Sequence, residues 1–298
     1  MKNAINYYYN LEVSDIHQVN GNYKFQIGGN RYLLVFLNHP YNLDTLYKLS
    51  TSIYKMGIYN HQFIPNKENN LVTMVNNKPY LLLWYYQEMD QLVTLKDILA
   101  FSNQNFSYLE NQNMDWGLLW ANKIDYFEYQ MSEFKQKYPL IRGSINYFIG
   151  IAETGISLFN SSKREYDKVV ITHNRIRPND TLFDLYNPLN FVVDLKVRDV
   201  AEYFKANFLE DSQIIDKIKI YIENENLDSY ELLMFYIRFF YPSFYFDIYE
   251  KIVNENLEEK EIQKAIDQAF QYEKFLKDLY RLISRYIILP DIEWIKKT

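Results

Sequence analysis

The sequence predicts a two-lobed α+β protein, a small antiparallel sheet with one helix followed by a larger and mainly helical part. Two observations carry that prediction. Residues 1–90 are dominated by β-branched and aromatic runs punctuated by tight-turn dipeptides, whereas from residue 91 helical periodicity takes over. The element order of the first part is strand, strand, strand, helix, strand, strand, which lacks the alternation of a parallel βαβ series.

In the first part, Tyr7–Val13, Tyr23–Ile27 and Arg31–Leu37 read as strands. Asn20-Gly21-Asn22 and Gly28-Gly29-Asn30 are turn signals, and the second joins two runs that would pair as a hairpin. A helix is predicted over Leu43–Met56, with Asp44 in its first turn and Gly57 as a stop. Strands follow near Leu71–Val75 and Tyr80–Tyr86. The second part reads as helices over Leu95–Ser102, Met114–Lys137, Ile145–Phe159, Val200–Leu209, Ser212–Glu223, Tyr230–Phe240 and Glu258–Tyr286. Two β-rich runs, Lys168–Thr172 and Phe191–Asp194, form a ribbon within it, and Leu182-Phe183 is a candidate third strand.

Composition narrows the function classes. A chain of 298 residues with 48% hydrophobic side chains can bury a sizeable core. With 18% aromatics the sequence is Tyr- and Phe-rich, and the simplest reading is compositional bias rather than a dedicated stacking surface. A net charge of -6 without a Lys/Arg run argues against nucleic-acid partners. The absence of Cys removes disulfides, thiolate metal sites and thiol nucleophiles. No apolar signal-peptide core follows Met1, and no apolar run is long enough to span a bilayer, so cytoplasmic synthesis and no membrane partner are expected. His17, His39 and His61 are isolated and read as ordinary loop or surface residues.

Residues 173–203 carry the chemistry. His173-Asn174-Arg175-Ile176-Arg177-Pro178-Asn179-Asp180 follows a strand, Phe191-Val192-Val193-Asp194 ends in an acid, and Arg198-Asp199-Val200-Ala201-Glu202-Tyr203 opens a helix. This order resembles the catalytic core of the aminoglycoside/choline-kinase superfamily, whose loop reads His-Gly-Asp-x-x-x-x-Asn. In that resemblance His173 matches the loop His and Asp194 the metal-binding Asp. The segment from Arg198 resembles Gly-Asp-Pro-Ala-x-Asp-Leu, with Asp199 and Ala201 at matching places. Outside the loop, Tyr147–Ile156, Phe239–Asp247 and Leu289–Trp294 resemble segments of kinase-like spore-coat proteins of the YutH and CotS type. The resemblance implies a protein-kinase-like (aminoglycoside phosphotransferase-like) fold, with an N-terminal lobe over 1–90 and a C-terminal lobe over 91–298. It also implies an endospore-forming bacterial source and a part in coat assembly or spore physiology.

The departures from the motif bear on activity. Arg175 stands where the resemblance expects the catalytic Asp, and a permanent cation cannot accept a proton. Asp180 stands in the place of the metal-binding Asn and keeps an oxygen ligand, with Asn179 beside it. The third strand, Tyr32–Leu37, lacks the Lys that would pair with the α/β-phosphates, Lys24 on the preceding strand is a poor substitute, and no Gly-rich phosphate loop is present. The first expectation is therefore a non-catalytic, scaffolding pseudokinase with coat proteins as partners, and neither catalytic residues nor cofactors are expected. Its alternatives are an ATP-dependent small-molecule phosphotransferase, or a nucleotide-binding protein without turnover, with Asp194 and Asp180 holding Mg²⁺ of Mg-ATP. His173 is expected to anchor its loop, and Arg175 to pair with Asp194 or Asp180 in place of the metal.

Overall fold

The computed structural model describes residues 1–19, 21–38, 40–87, 89–103, 115–134, 137–166 and 168–296. In chain order the elements are α1 (Lys2–Tyr9), β1 (His17–Val19), β2 (Asn22–Ile27), β3 (Asn30–Phe36), α2 (Leu43–Lys55), β4 (Gln62–Ile64), β5 (Val72–Val75) and β6 (Lys78–Tyr85). They continue with α3 (Leu95–Ser102), α4 (Trp116–Phe134), α5 (Pro139–Ser162), β7 (Val170–His173), α6 (Leu182–Leu185) and β8 (Phe191–Asp194). The last are α7 (Val197–Asn207), α8 (Ile214–Asn224), α9 (Ser229–Arg238), α10 (Ser243–Glu255), α11 (Gln263–Asp267), α12 (Ala269–Ile283) and α13 (Glu293–Lys296). The chain divides into two compact units, Met1–Thr94 with Asn179–Val192, and Leu95–Pro178 with Val193–Thr298. Among the described residues no helix is long and apolar enough to cross a membrane.

The first unit is an antiparallel sheet in the order β1-β2-β3-β6-β4, with β5 also pairing β6. Two hairpins set its register, and each closes on residues that tolerate positive φ. Gly28 (φ 54) and Gly29 (φ 88) join β2 to β3, and Asn76 (φ 50) and Asn77 (φ 59) join β5 to β6. One face of the sheet packs Phe25, Leu34, Tyr80 and Leu82 against Ile5 and Val13. The entry to β4 is tied to α2 by a buried polar knot. Ser50 Oγ donates to Asn60 Oδ1 at 2.7 Å, and Asn60 Nδ2 returns a bond to the Ser50 carbonyl at 3.1 Å. In the same unit, His61 Nε2 lies 2.9 Å from the Phe183 carbonyl, and the two rings meet at 4.4 Å.

Three expectations need correction here. The Tyr-rich start is a helix, not the strand expected over Tyr7–Val13. Met1, Ile5 and Tyr9 recur at helical spacing and pack on the sheet core, and that tertiary contact outweighs the β-propensity of the tyrosines. The chain then leaves α1 through Asn10 in the left-handed region. Leu182-Phe183 is helical because Thr181 caps α6, its N–H and hydroxyl both donating to Asp184 Oδ2 at 2.9 Å. His61, expected to be an ordinary loop or surface residue, is fully buried. His39, Asn20 and the ends of the helix expected over Met114–Lys137 (Met114, Lys135 and Gln136) lie outside the described residues.

The second unit is mainly helical and contains β7 and the end of β8 from Val193. The helix expected over Glu258–Tyr286 is divided into a 3₁₀ turn, α11 and α12, and α10 was not foreseen at all. The buried aromatics of α9, α10 and the turn between them make the core: Phe235, Tyr236, Phe239, Phe240, Tyr245 and Tyr249 are essentially inaccessible. Asp228 starts α9 by accepting from the N–H groups of Tyr230 and Glu231, both at 2.9 Å. It also accepts from Tyr166 Oη at 2.7 Å and Lys168 Nζ at 3.2 Å.

Two predictions follow from this packing. A Cβ built on Gly155 of α5 falls 2.6 Å from the Phe240 Cβ, an atom that no rotamer change can move away. Gly155→Val should therefore destabilise the protein by about 2 kcal/mol or more through overpacking; an unchanged urea midpoint would refute it. For Asp228, burial pushes the carboxyl up, but the backbone N–H groups, Tyr166 and Lys168 outweigh it and hold the group at about 2. A folded value below the ordinary one means that the contribution is present above pH about 4 and is lost as pH falls toward 2. The stability gap between the protein and Asp228→Asn should narrow over that window, and a pH-independent gap would contradict the assignment.

Candidate functional site

The site is built where β7 and β8 end and α7 begins. β7 terminates at His173, whose backbone N–H donates to Asp199 Oδ1 at 3.0 Å and whose Nδ1 lies 2.6 Å from Asp199 Oδ2. Phe101 packs on the imidazole with ring centroids 4.9 Å apart. His173 is only 1% exposed, so its ring and backbone are both fixed by one carboxylate in the first turn of α7. This is the anchoring arrangement expected for His173.

Arg198, one residue earlier in that turn, closes the site. Its Nε donates to the His173 carbonyl at 2.8 Å and its Nη2 to the Asn174 carbonyl at 3.0 Å. Its Nη1 donates to Asp194 Oδ2 at 2.5 Å. Asp194 Oδ2 also accepts from the Trp116 indole at 2.6 Å, and Oδ1 accepts from the Leu195 N–H at 2.7 Å. Both carboxylate oxygens of Asp194 are thus engaged by donors of the same unit, in a setting only 6% exposed.

Arg175 lies elsewhere in the unit than expected. Its partner is Asp247 of α10, Nη2 to Oδ2 at 2.5 Å, with side chains 22% and 38% exposed. The pairing of Arg175 with Asp194 is therefore corrected: Arg198 is four residues from Asp194 and reaches it across the turn into α7. Burial works against the Arg175 charge, but Glu202 and Asp247 more than offset that and hold the guanidinium above its ordinary value. Asp180 belongs to the first unit, where its carbonyl accepts from the Val93 N–H at 2.9 Å. Lys24 is in that unit too, on β2 opposite Leu33 of β3, with its ammonium 4.8 Å from the Phe183 ring and 5.9 Å from that of Tyr85.

Beneath Arg175 is a second buried charge cluster that the sequence did not announce. Glu202 Oε1 accepts from Lys205 Nζ at 2.9 Å and from Arg238 Nε at 3.0 Å. Lys205 Nζ also donates to the Arg238 and Tyr241 carbonyls at 3.2 and 3.1 Å, satisfying backbone groups at the end of α9. The Arg238 guanidinium lies 4.3 Å over the Trp116 ring. Burial pushes the Glu202 carboxyl up, yet Lys205, Arg238 and Arg175 together hold it far below the usual range. Burial draws the Lys205 ammonium down to about 8, with Glu202 resisting. Glu202 and Lys205 stand at i, i+3 in α7, a spacing that reads equally well as a solvated helix pair; only the burial of both distinguishes this case. Among the described residues, no group of three or more His, Cys, Asp or Glu is placed to hold a metal ion.

The family model described as "Spore coat putative kinase YutH" matches residues 2–279. The chain belongs to that family. A curated relative, the endospore coat-associated protein YutH of Bacillus subtilis (strain 168), is 23% identical over 210 residues, an alignment that spans 61% of each chain. Solved structures similar to this chain include phosphotransferases and a choline kinase. An aminoglycoside phosphotransferase from Alicyclobacillus acidocaldarius matches with a TM-score of 0.63 at 12% identity, over 96% of this chain and 97% of that one. Spectinomycin phosphotransferase, in complex with ADP and spectinomycin, matches with a TM-score of 0.57 at 12% identity, over 94% and 97%. The choline kinase LicA from Streptococcus pneumoniae matches with a TM-score of 0.54 at 11% identity, over 96% and 98%. At these identities the likeness establishes the fold, a kinase-like α+β architecture with a small antiparallel sheet and a larger helical part.

Removing the acid at the centre of the buried cluster should be costly. Glu202→Gln leaves Lys205 and Arg238 buried without their counter-ion and is expected to lower unfolding free energy by about 3–5 kcal/mol. Lys123→Ala, which breaks the exposed Lys123–Glu250 pair, should cost less than about 1 kcal/mol. Equal losses in a urea titration of the two variants would show that Glu202 is not the counter-ion that the geometry makes it.

Proposed function

We propose that this chain is a kinase-like protein without phosphotransfer turnover, acting as a structural partner of other proteins in the spore coat. The observation that carries the reading is the state of Asp194. A divalent cation takes its ligands from carboxylate and other oxygens. At Asp194 those oxygens already accept from Arg198, Trp116 and Leu195, and Mg²⁺ would have to displace a guanidinium and an indole N–H from a buried carboxylate. The residues present do not fit a Mg-nucleotide held at this position.

Two further features support the same reading. Phosphoryl transfer draws on an oriented acceptor hydroxyl and on positive charge placed at the phosphates. Arg175, in the place of the base, is a permanent cation committed to Asp247. β3, Asn30–Phe36, contains no Lys, and Lys24 of β2 rests on aromatic rings. The coat setting is supported by membership of the family described as "Spore coat putative kinase YutH" and by the name of the Bacillus subtilis relative. A scaffold needs the fold and not the turnover, and the ion pairs that occupy the site stabilise the fold.

The test is ligand-linked stability, since a ligand that binds the folded state must raise the melting temperature by mass action. Millimolar Mg-ATP is expected to leave the melting temperature unchanged. A Mg²⁺-dependent rise that vanishes in Asp194→Asn would overturn the reading and favour ATP-dependent phosphotransfer or nucleotide binding without turnover.

A further inference from the structure

α4 turns an apolar stripe to solvent. Leu118, Leu119, Tyr126 and Tyr129 are between 43% and 62% exposed. Single exposed apolar residues are ordinary, whereas four on one helix form a patch. With Asn122 and Glu133 they recur at spacings of three and four residues. At about 100° per residue they fall within about 100° of arc and run for about 22 Å. The other side of α4 carries Trp116, Trp120, Ile124 and Phe127 into the core, so the stripe is what remains after the helix has been packed.

Charge decides what can cover it. Asp125 and Glu128 border the stripe along one flank and Glu133 closes its end. All three are exposed, and none has a cationic partner among the described residues. The lysine of the other flank, Lys123, is committed to Glu250 at 2.8 Å. A surface of phosphates, in nucleic acid or an anionic bilayer, would be repelled by these carboxylates. A second copy of the chain fits poorly too. In an antiparallel α4 pair the flank of Asp125 and Glu128 meets itself, and in a parallel pair Glu133 meets Glu133. The complement is a straight apolar ridge with cations along one side. A helix supplies both, because positions i, i+3, i+4 and i+7 line one face and long basic side chains can flank it. We infer that the outer face of α4 docks a basic amphipathic helix of another protein, its apolar ridge on Leu118, Leu119, Tyr126 and Tyr129 and its cations on Asp125 and Glu128. The inference rests on the scaffold reading, whose partner it describes by chemistry.

The probes are two fluorescein-labelled peptides with the same leucine ridge at heptad positions a and d, one with Lys and the other with Glu at e and g. Titrated with the full chain, the Lys peptide should bind about tenfold or more tightly than the Glu peptide by fluorescence anisotropy. Asp125→Lys with Glu128→Lys should reverse that preference. Leu118→Ser with Tyr129→Ser should weaken the Lys peptide by about tenfold. Glu68→Lys with Glu210→Lys makes the same change of net charge at exposed carboxylates outside α4 and should leave the preference in place. Every position changed is exposed, so the circular dichroism of each variant should match the parent. Equal binding of the two peptides, a preference that survives the reversal at Asp125 and Glu128, or an equal loss in the control at Glu68 and Glu210 would each overturn the proposal. So would a dimer in sedimentation equilibrium that Leu118→Ser with Tyr129→Ser abolishes, since a second copy would then cover the face. None of these outcomes bears on the response to Mg-ATP, so the scaffold reading stands or falls separately on its own test.

Discussion

The Asp194–Arg198 ion pair is the constraint on which the rest of the site depends. Arg198 acts as a clamp with three jaws, holding the Asp194 carboxylate and the carbonyls of His173 and Asn174. The end of β7, the end of β8 and the first turn of α7 are thereby locked by one side chain, with Asp199 gripping His173 beside it. The buried Arg198 guanidinium is tolerable because each of its nitrogens has an oxygen to meet, and the buried Asp194 carboxylate because its donors are close and directional. Each half of the pair makes the other's burial possible.

Around that pair the unit carries more buried charge than a helical core needs. Glu202, Lys205 and Arg238 form a second layer, and Trp116 links the two, giving its indole N–H to Asp194 and its ring face to Arg238. Arg198 and Lys205 hold loop carbonyls and the end of α9 in register.

The fold class was legible because its signals were periodic and local. The Gly28-Gly29 turn, the strands beside it and α2, with Asp44 in its first turn and Gly57 past its end, fell close to where the pattern put them. What escaped was decided by tertiary contact. α1 is helical because Ile5 has a sheet to cover, and α6 because Asp184 caps Thr181, a Thr-x-x-Asp signal that was visible in the sequence and outweighed by the β-like Leu182-Phe183. In the site, His173 and Asp194 were found by motif order, but their partners were not. Arg198 was noted only as the start of a helix motif, and nothing in a linear pattern says that Glu202, Lys205 and Arg238 are buried, since Lys and Glu at such spacing ordinarily face water.

Arg198 occupies the place where the resembling kinase motif carries Gly, and its burial ties its fate to that of Asp194. Reverting Arg198 to Gly alone would strand Asp194 in a buried pocket with no cation, and changing Asp194 alone would strand Arg198 in the same way. Arg175 and Asp247 add a second coupled pair. Within each pair the two residues are therefore energetically coupled, and the effects of substituting both members should not add.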